Sequence, residues 1–247
     1  MKNKSFWISI IAVGISFAGG FLLANAFNRM ELDALRAENT RLKSEPLKSE
    51  QNQSELALTE TEIRTKIEEA DRNPTDFSFQ KNLGLALYRY AAMKQDTVLL
   101  AEIEKILKRA YDLNDKDNEV TVALGNLQFD LGYLKKKNEN FEKAREYYLK
   151  ALERNPKDVN VRTDYGLTFF LQNPPVHEKA IAEFRKSLED NPKHERTLQF
   201  LTQALLQTGN TAEAEAHLAV LKELNPKTPN LAELQTQIEN GKNSAEK

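Results

Sequence analysis

Apolar positions in this chain follow two patterns. From Phe6 to Phe27 they are nearly continuous, 22 residues without a charge. As a helix that run spans about 33 Å, enough for a hydrocarbon core of about 30 Å. Beyond it the apolar residues become periodic. Leu32, Leu35, Asn39 and Leu42 are spaced three, four and three, one seam of a short coiled coil whose Asn39 would set register. Pro46 ends that helix and a polar linker follows. Leu56, Ile63, Ile67 and Ala70 then give one helical stripe, and four amphipathic helix pairs come after it. The pairs are closed by recurring punctuation at Asn73-Pro74, Asn155-Pro156, Asn191-Pro192 and Asn225-Pro226, with Asn114-Asp115 in the one gap. Proline cannot continue a helix, and an asparagine before it is expected to take a left-handed turn. The proline-position spacings are 41, 41, 36 and 34 residues. Two helices per unit at such a period predict an all-α stacked solenoid, because one pair cannot bury its apolar face alone.

The domain map that follows is a cytoplasmic tip and transmembrane anchor at 1–27, a short coiled coil at 28–45 and a linker at 46–53. An N-terminal capping helix occupies 54–76. Four units fill 77–117, 118–158, 159–194 and 195–228. Leu231, Leu234 and Ile238 mark a C-terminal capping helix over 229–241, and 242–247 is a polar tail. The first two units carry seven additional residues between their helices, near Ala91 to Thr97 and Tyr133 to Glu139. Lys135-Lys136-Lys137 tips the second of these turns. So short a run is ordinarily a solvated turn, with an acidic partner or lipid headgroups as the functional alternative.

Lys2 and Lys4 favour an N-terminus kept in the cytoplasm, and large trailing domains translocate largely regardless of flanking charge. The expectation is a single-pass protein of the cytoplasmic membrane with its repeats on the periplasmic side. Ala24-Asn25-Ala26 offers a cleavage site, but signal-peptide cores run only about 7–15 residues, so the anchor is read as uncleaved. Ala12, Ser16, Gly20 and Ala24 form a small-residue stripe that, with the zipper above it, could pair two copies as a homodimer.

Composition narrows the chemistry. Charged residues are 29% of the chain and net charge is −2, with no concentrated basic surface of the kind nucleic-acid binding requires. Cysteine is absent, which removes disulfides, thiol catalysis and zinc-thiolate sites. His177, His194 and His217 have no partner at metal or catalytic spacing, and His194 and His217 read as surface histidines. No phosphate-binding glycine loop or glycine-flanked nucleophilic serine occurs. No enzyme, metal site or cofactor is expected.

Aligned on the punctuation, the second unit has Leu124, Gly125, Ala144, Tyr148, Ala151 and Pro156. The third has Tyr165, Gly166, Ala180, Phe184, Ser187 and Pro192. The fourth has Leu201, Thr202, Ala214, Leu218, Leu221 and Pro226, and the first Leu83, Gly84, Ile103, Leu107, Ala110 and Asp115. This pattern resembles the tetratricopeptide repeat family and covers about 150 of 247 residues. Ile103, Thr202 and Leu221 depart from its small residues, so looser packing is expected there. The resemblance implies a right-handed superhelix whose inner groove holds a peptide or protein. Its groove positions fall on Lys81, Asn126, Phe129, Thr163, Leu167, Phe170, Gln199, Gln203 and Leu206. Lys81 fits one slot of the subgroup that clamps a chaperone's C-terminal carboxylate, but Leu85, Ala123, Asn160 and Asp164 miss the others. Arg162-Thr163-Asp164-Tyr165-Gly166 and Asn191-Pro192-Lys193-His194 are similar to the repeat-bearing subunits of bacterial cytochrome c assembly, which would imply holding an apocytochrome. The expected function is a membrane-anchored docking scaffold, with that assembly role and a passive tether as alternatives.

Overall fold

The computed structural model describes residues 59–228 and 230–245. The expected anchor, coiled coil and linker lie outside them. Among the described residues no helix is long and apolar enough to cross a membrane. The described residues form ten helices and no strand.

They divide into two compact units. The first holds α1 (Glu60–Arg72), α2 (Phe77–Lys94) and α3 (Thr97–Leu113). Thr59 and Glu62 close a reciprocal capping box at the start of α1. Gln80 of α2, fully buried, donates through Nε2 to Ala70 O and Asn73 O, tying the end of α1 to α2.

The second unit holds α4 (Asn118–Lys135), α5 (Asn138–Arg154), α6 (Val159–Leu171), α7 (His177–Asp190), α8 (Glu195–Gln207), α9 (Thr211–Leu224) and α10 (Leu231–Ala245). Consecutive helices pack pairwise, and the first helices of successive pairs also meet, α4 with α6 and α6 with α8. At the end, α10 lays Leu234 and Ile238 against Leu198, Leu218 and Leu221, sealing the last apolar face.

The close helix crossings recur. A Cβ on Gly84 would stand 2.6 Å from Leu107, on Gly125 2.7 Å from Tyr148, and on Gly166 2.7 Å from Phe184. The same two repeat positions thus touch in three pairs, and only hydrogen fits. Ile103, Thr202 and Leu221 are nevertheless fully buried, so the looser packing expected at those positions does not appear as exposure.

Two local expectations are corrected. The asparagines of the punctuation are not left-handed: φ is −122° at Asn73, −132° at Asn155, −143° at Asn191 and −149° at Asn225. Each instead starts a tight turn whose carbonyl accepts from the residue three on, as in Asp158 N to Asn155 O (3.1 Å) and His194 N to Asn191 O (3.1 Å). Proline suits the second place of such a turn, and the asparagine side chain closes it, Asn191 Oδ1 accepting from Lys193 N at 3.1 Å. The seven additional residues are also not a long turn. α4 has 18 residues against 13 in α8, and α5 has 17 against 14 in α9. The turn itself is one residue shorter, two against three, which accounts for all seven. Helix continues because nothing between Leu124 and Lys135 breaks it, and it ends at Lys136 in the left-handed region (φ 53°).

Candidate functional site

α4 is buried on almost every side, Val120, Thr121 and Ala123 through Gly132 all lying inside. A charge in such a helix must find a partner, since an isolated buried ion costs far more than any packing gain. Asp130 is 1% exposed, and Asp164 on α6 is 0%. The cation is Arg196 on α8, with only 10% of its side chain exposed, whose Nη2 donates to Asp164 Oδ1. Burial pushes the Arg196 guanidinium down to about 10, while Tyr148 and Asp130 pull it upward. It therefore stays charged at neutral pH. Tyr148 in turn donates its hydroxyl to Asn126 Oδ1 at 2.9 Å. One guanidinium so links the first helices of three successive pairs.

A second polar cluster lies nearer the start of α6 and α8. Thr163, Ser187 and Thr197, all fully buried, hold their hydroxyls 2.6 to 3.2 Å apart, and Val159 O accepts from Thr163 and Ser187. Asp76, Asp117 and Asp158 cap their helices by accepting from the amide three residues on, each at 3.0 Å. The equivalent residue before α8 is His194, which makes no such cap. Its ring instead bridges Thr197 Oγ1 (2.6 Å) and Asn160 Oδ1 (3.1 Å), joining α8 to α6. His194 is thus half-buried and engaged, a correction to its reading as a surface residue.

The nine positions expected to line a groove separate into two sets. Asn126, Phe129, Thr163, Leu167 and Phe170 are buried, at 6%, 0%, 0%, 0% and 7% exposure. Phe129 meets Phe141 edge-on at 5.5 Å, and Phe170 meets His177 at 5.9 Å and Phe200 at 6.2 Å. In this structure they are core and support: Asn126 and Phe129 meet Tyr148 and Phe141 of their own pair, and Thr163 and Phe170 meet Thr197 and Phe200 of α8. Lys81, half-buried, belongs to the first unit. Gln199, Gln203 and Leu206 remain partly exposed, and spacings of four and three put them on one face of α8. Gln203 Oε1 is shielded from solvent and has no hydrogen-bond partner. An unmet amide acceptor of this kind costs about 1–3 kcal/mol.

The sequence reading missed Arg196, Asp130 and His194. A signal was present for Asp130, which sits between Phe129 and Leu131, where a carboxylate implies a buried cation. Among the described residues no cluster of three His, Asp or Glu could hold a metal ion.

Repeat models confirm the periodicity seen in the helices. One tetratricopeptide model matches residues 177–238 and another matches 126–158. Over those two stretches the chain matches the tetratricopeptide repeat. No curated protein sequence matches it. Among solved structures, "Crystal structure of MamA" is 20% identical, with 67% of this chain and 88% of that chain covered at a TM-score of 0.54. "Crystal structure of MamA protein" is 19% identical, covering 67% and 82% at 0.52. At such identities the likeness speaks for the fold alone. A repeat fold of this type is consistent with protein–protein interaction.

Proposed function

We propose that this chain is a scaffold, held in the cytoplasmic membrane by its N-terminal apolar run, that docks a peptide or protein partner on the first-helix face of its last repeats. The observation that carries the reading is the row Gln199, Gln203 and Leu206, partly exposed along one face of α8. The Gln203 side-chain amide would donate to a backbone carbonyl of an extended peptide, and Leu206 would take an apolar side chain. The buried Arg196–Asp164 pair holds α8 against α6, so the face is presented rigidly. In the stretch behind the cytochrome-assembly reading, Arg162 pairs with Glu183 (3.1 Å) and Asp164 with Arg196. Both ionic groups there are spent inside the fold, and that narrower reading gains no support from them.

Selection of peptides from a random display library against the full-length chain tests the proposal. Selected peptides should bind Gln203→Leu about five-fold more weakly, the worth of one hydrogen bond, and Leu206→Glu more weakly still. Gln203→Leu should meanwhile unfold no more easily, since it removes an unmet acceptor. Peptides that bind both variants as well as the parent chain would leave the face idle and favour a passive tether.

A further inference from the structure

The hydroxyl cluster beside His194 fixes where its protons must lie. Thr163 and Ser187 each have one hydroxyl proton, and both donate it to Val159 O, at 2.7 and 3.0 Å. Thr197 Oγ1 stands 2.6 Å from Thr163 Oγ1 and 2.6 Å from His194 Nδ1. Lone pairs do not settle at that separation unless a proton lies between them. Two such contacts need two protons, and the Thr197 hydroxyl has one. The other has to come from Nδ1. Nε2 meanwhile faces Asn160 Oδ1 at 3.1 Å, an acceptor with no proton to give, so it too must carry one. The hydrogen bonds then run from Nδ1–H to Thr197, from Thr197 to Thr163, and from Thr163 to Val159 O. Both 2.6 Å contacts are filled.

We propose that His194 is a pH-sensitive clamp between α6 and α8, complete when its ring carries both protons. At the matching places before α2, α4 and α6 stand capping aspartates, so a histidine here adds a group able to change charge near neutral pH. Half-burial and the positive end of the α8 dipole oppose the second proton, the dipole by about two- to five-fold. The bond that proton completes is worth about ten-fold or more. The contact geometry sides with the proton. Charges facing the cluster nearly cancel. From α6 come Asp158, which caps Val161 N, and Asp164, which is bound to Arg196. One turn either side of Ser187 on α7 stand Asp190 and Glu183, the latter held by Arg162 and Lys186. His194's own segment supplies Lys193, Glu195 and Arg196. A folded-state pKa raised above the unfolded one adds stability that is whole below the unfolded value and lost as pH rises through the folded one. The joint therefore tightens toward acid pH and slackens above neutral.

The sequence has three histidines, so isotope labelling of histidine nitrogen in the full-length chain, held in detergent micelles, resolves each ring by nuclear magnetic resonance. The signal missing from His194→Asn identifies this one, and asparagine can cap α8 in the ordinary way, so that variant folds. Both ring nitrogens of His194 should be mostly protonated at pH 7, with a midpoint above that of the same ring in urea. The folding equilibrium of the parent relative to His194→Asn, from urea unfolding, should fall about ten-fold between pH 5.5 and pH 8.5, the worth of a midpoint raised by one pH unit. Thr197→Val keeps the shape, removes the acceptor for Nδ1–H and should lower the midpoint. A folded chain whose His194 ring is mostly neutral at pH 7 overturns the proposal, and means that Asn160 turns its amide N–H toward Nε2. An unfolding ratio independent of pH, or a midpoint unmoved in Thr197→Val, overturns it as well.

Discussion

Replacing Arg196 with methionine removes the guanidinium while keeping most of the side-chain volume. Asp164 (0% exposed) and Asp130 (1%) would then be buried without their cation. Breaking a buried pair in this way costs about 3–5 kcal/mol, against a total stability of roughly 5–15 kcal/mol. The chemistry gives the same size independently. The orphaned carboxyl escapes its charge by keeping a proton, and an unfolded aspartate titrates near about 3.9. At about 1.4 kcal/mol per unit, holding that proton costs about 4 kcal/mol at pH 7 and about 1.5 kcal/mol at pH 5. In the variant the folded-state pKa is raised, so its stability is fully present below the unfolded value and is lost as pH rises. Urea unfolding followed by circular dichroism at the two pH values reads this directly; the sole tryptophan, Trp7, lies outside the described residues. Arg196→Met should lose about 2–3 kcal/mol more at pH 7 than at pH 5, and adding Asp164→Asn should restore most of the loss. A penalty below about 1 kcal/mol at pH 7, or one independent of pH, would refute the reasoning.

Two further outcomes follow from the same geometry. Gly125→Ala places a Cβ 2.7 Å from the fully buried Tyr148 ring, whose hydroxyl is fixed on Asn126, so overpacking of about 1–3 kcal/mol should exceed the helix gain of about 1 kcal/mol; a raised melting temperature would show that the ring yields. Arg185 holds Glu213 through two bonds of 3.0 and 2.7 Å between α7 and α9, and that hydrogen bonding lowers the Glu213 pKa. A lowered carboxylate stabilises above its unfolded value and loses that contribution as pH falls, so Arg185→Ala should cost up to about 1 kcal/mol at pH 7 and nothing near pH 3. An equal cost at both pH values would mean that the arginine stem, and not the ion pair, holds the helices.

The sequence determined the elements by itself. Turn residues at a fixed period and 3.6-residue apolar stripes are local signals, readable wherever neighbouring side chains decide the backbone. The glycine positions were legible for the same reason, since a repeat that recurs must cross its helices at recurring points, and Gly84, Gly125 and Gly166 each meet the residue in the corresponding place. The tertiary structure decided which polar groups are core. Asp130, Asp164 and Arg196 lie 34 and 32 residues apart along the chain, and only stacking brings them together. The burial of groove positions was illegible for the same reason: whether Phe129 or Thr163 lies inside depends on how the helices pack, and no single repeat encodes that. His194 likewise looks like any turn histidine until α6 supplies Asn160. Local sequence fixes the helix ends that carry Asn-Pro turns because its forces act within a turn or two, whereas the longer helices of the first two units were read as turns. Burial and charge pairing are set between helices more than thirty residues apart, so they become visible only after the repeats have stacked.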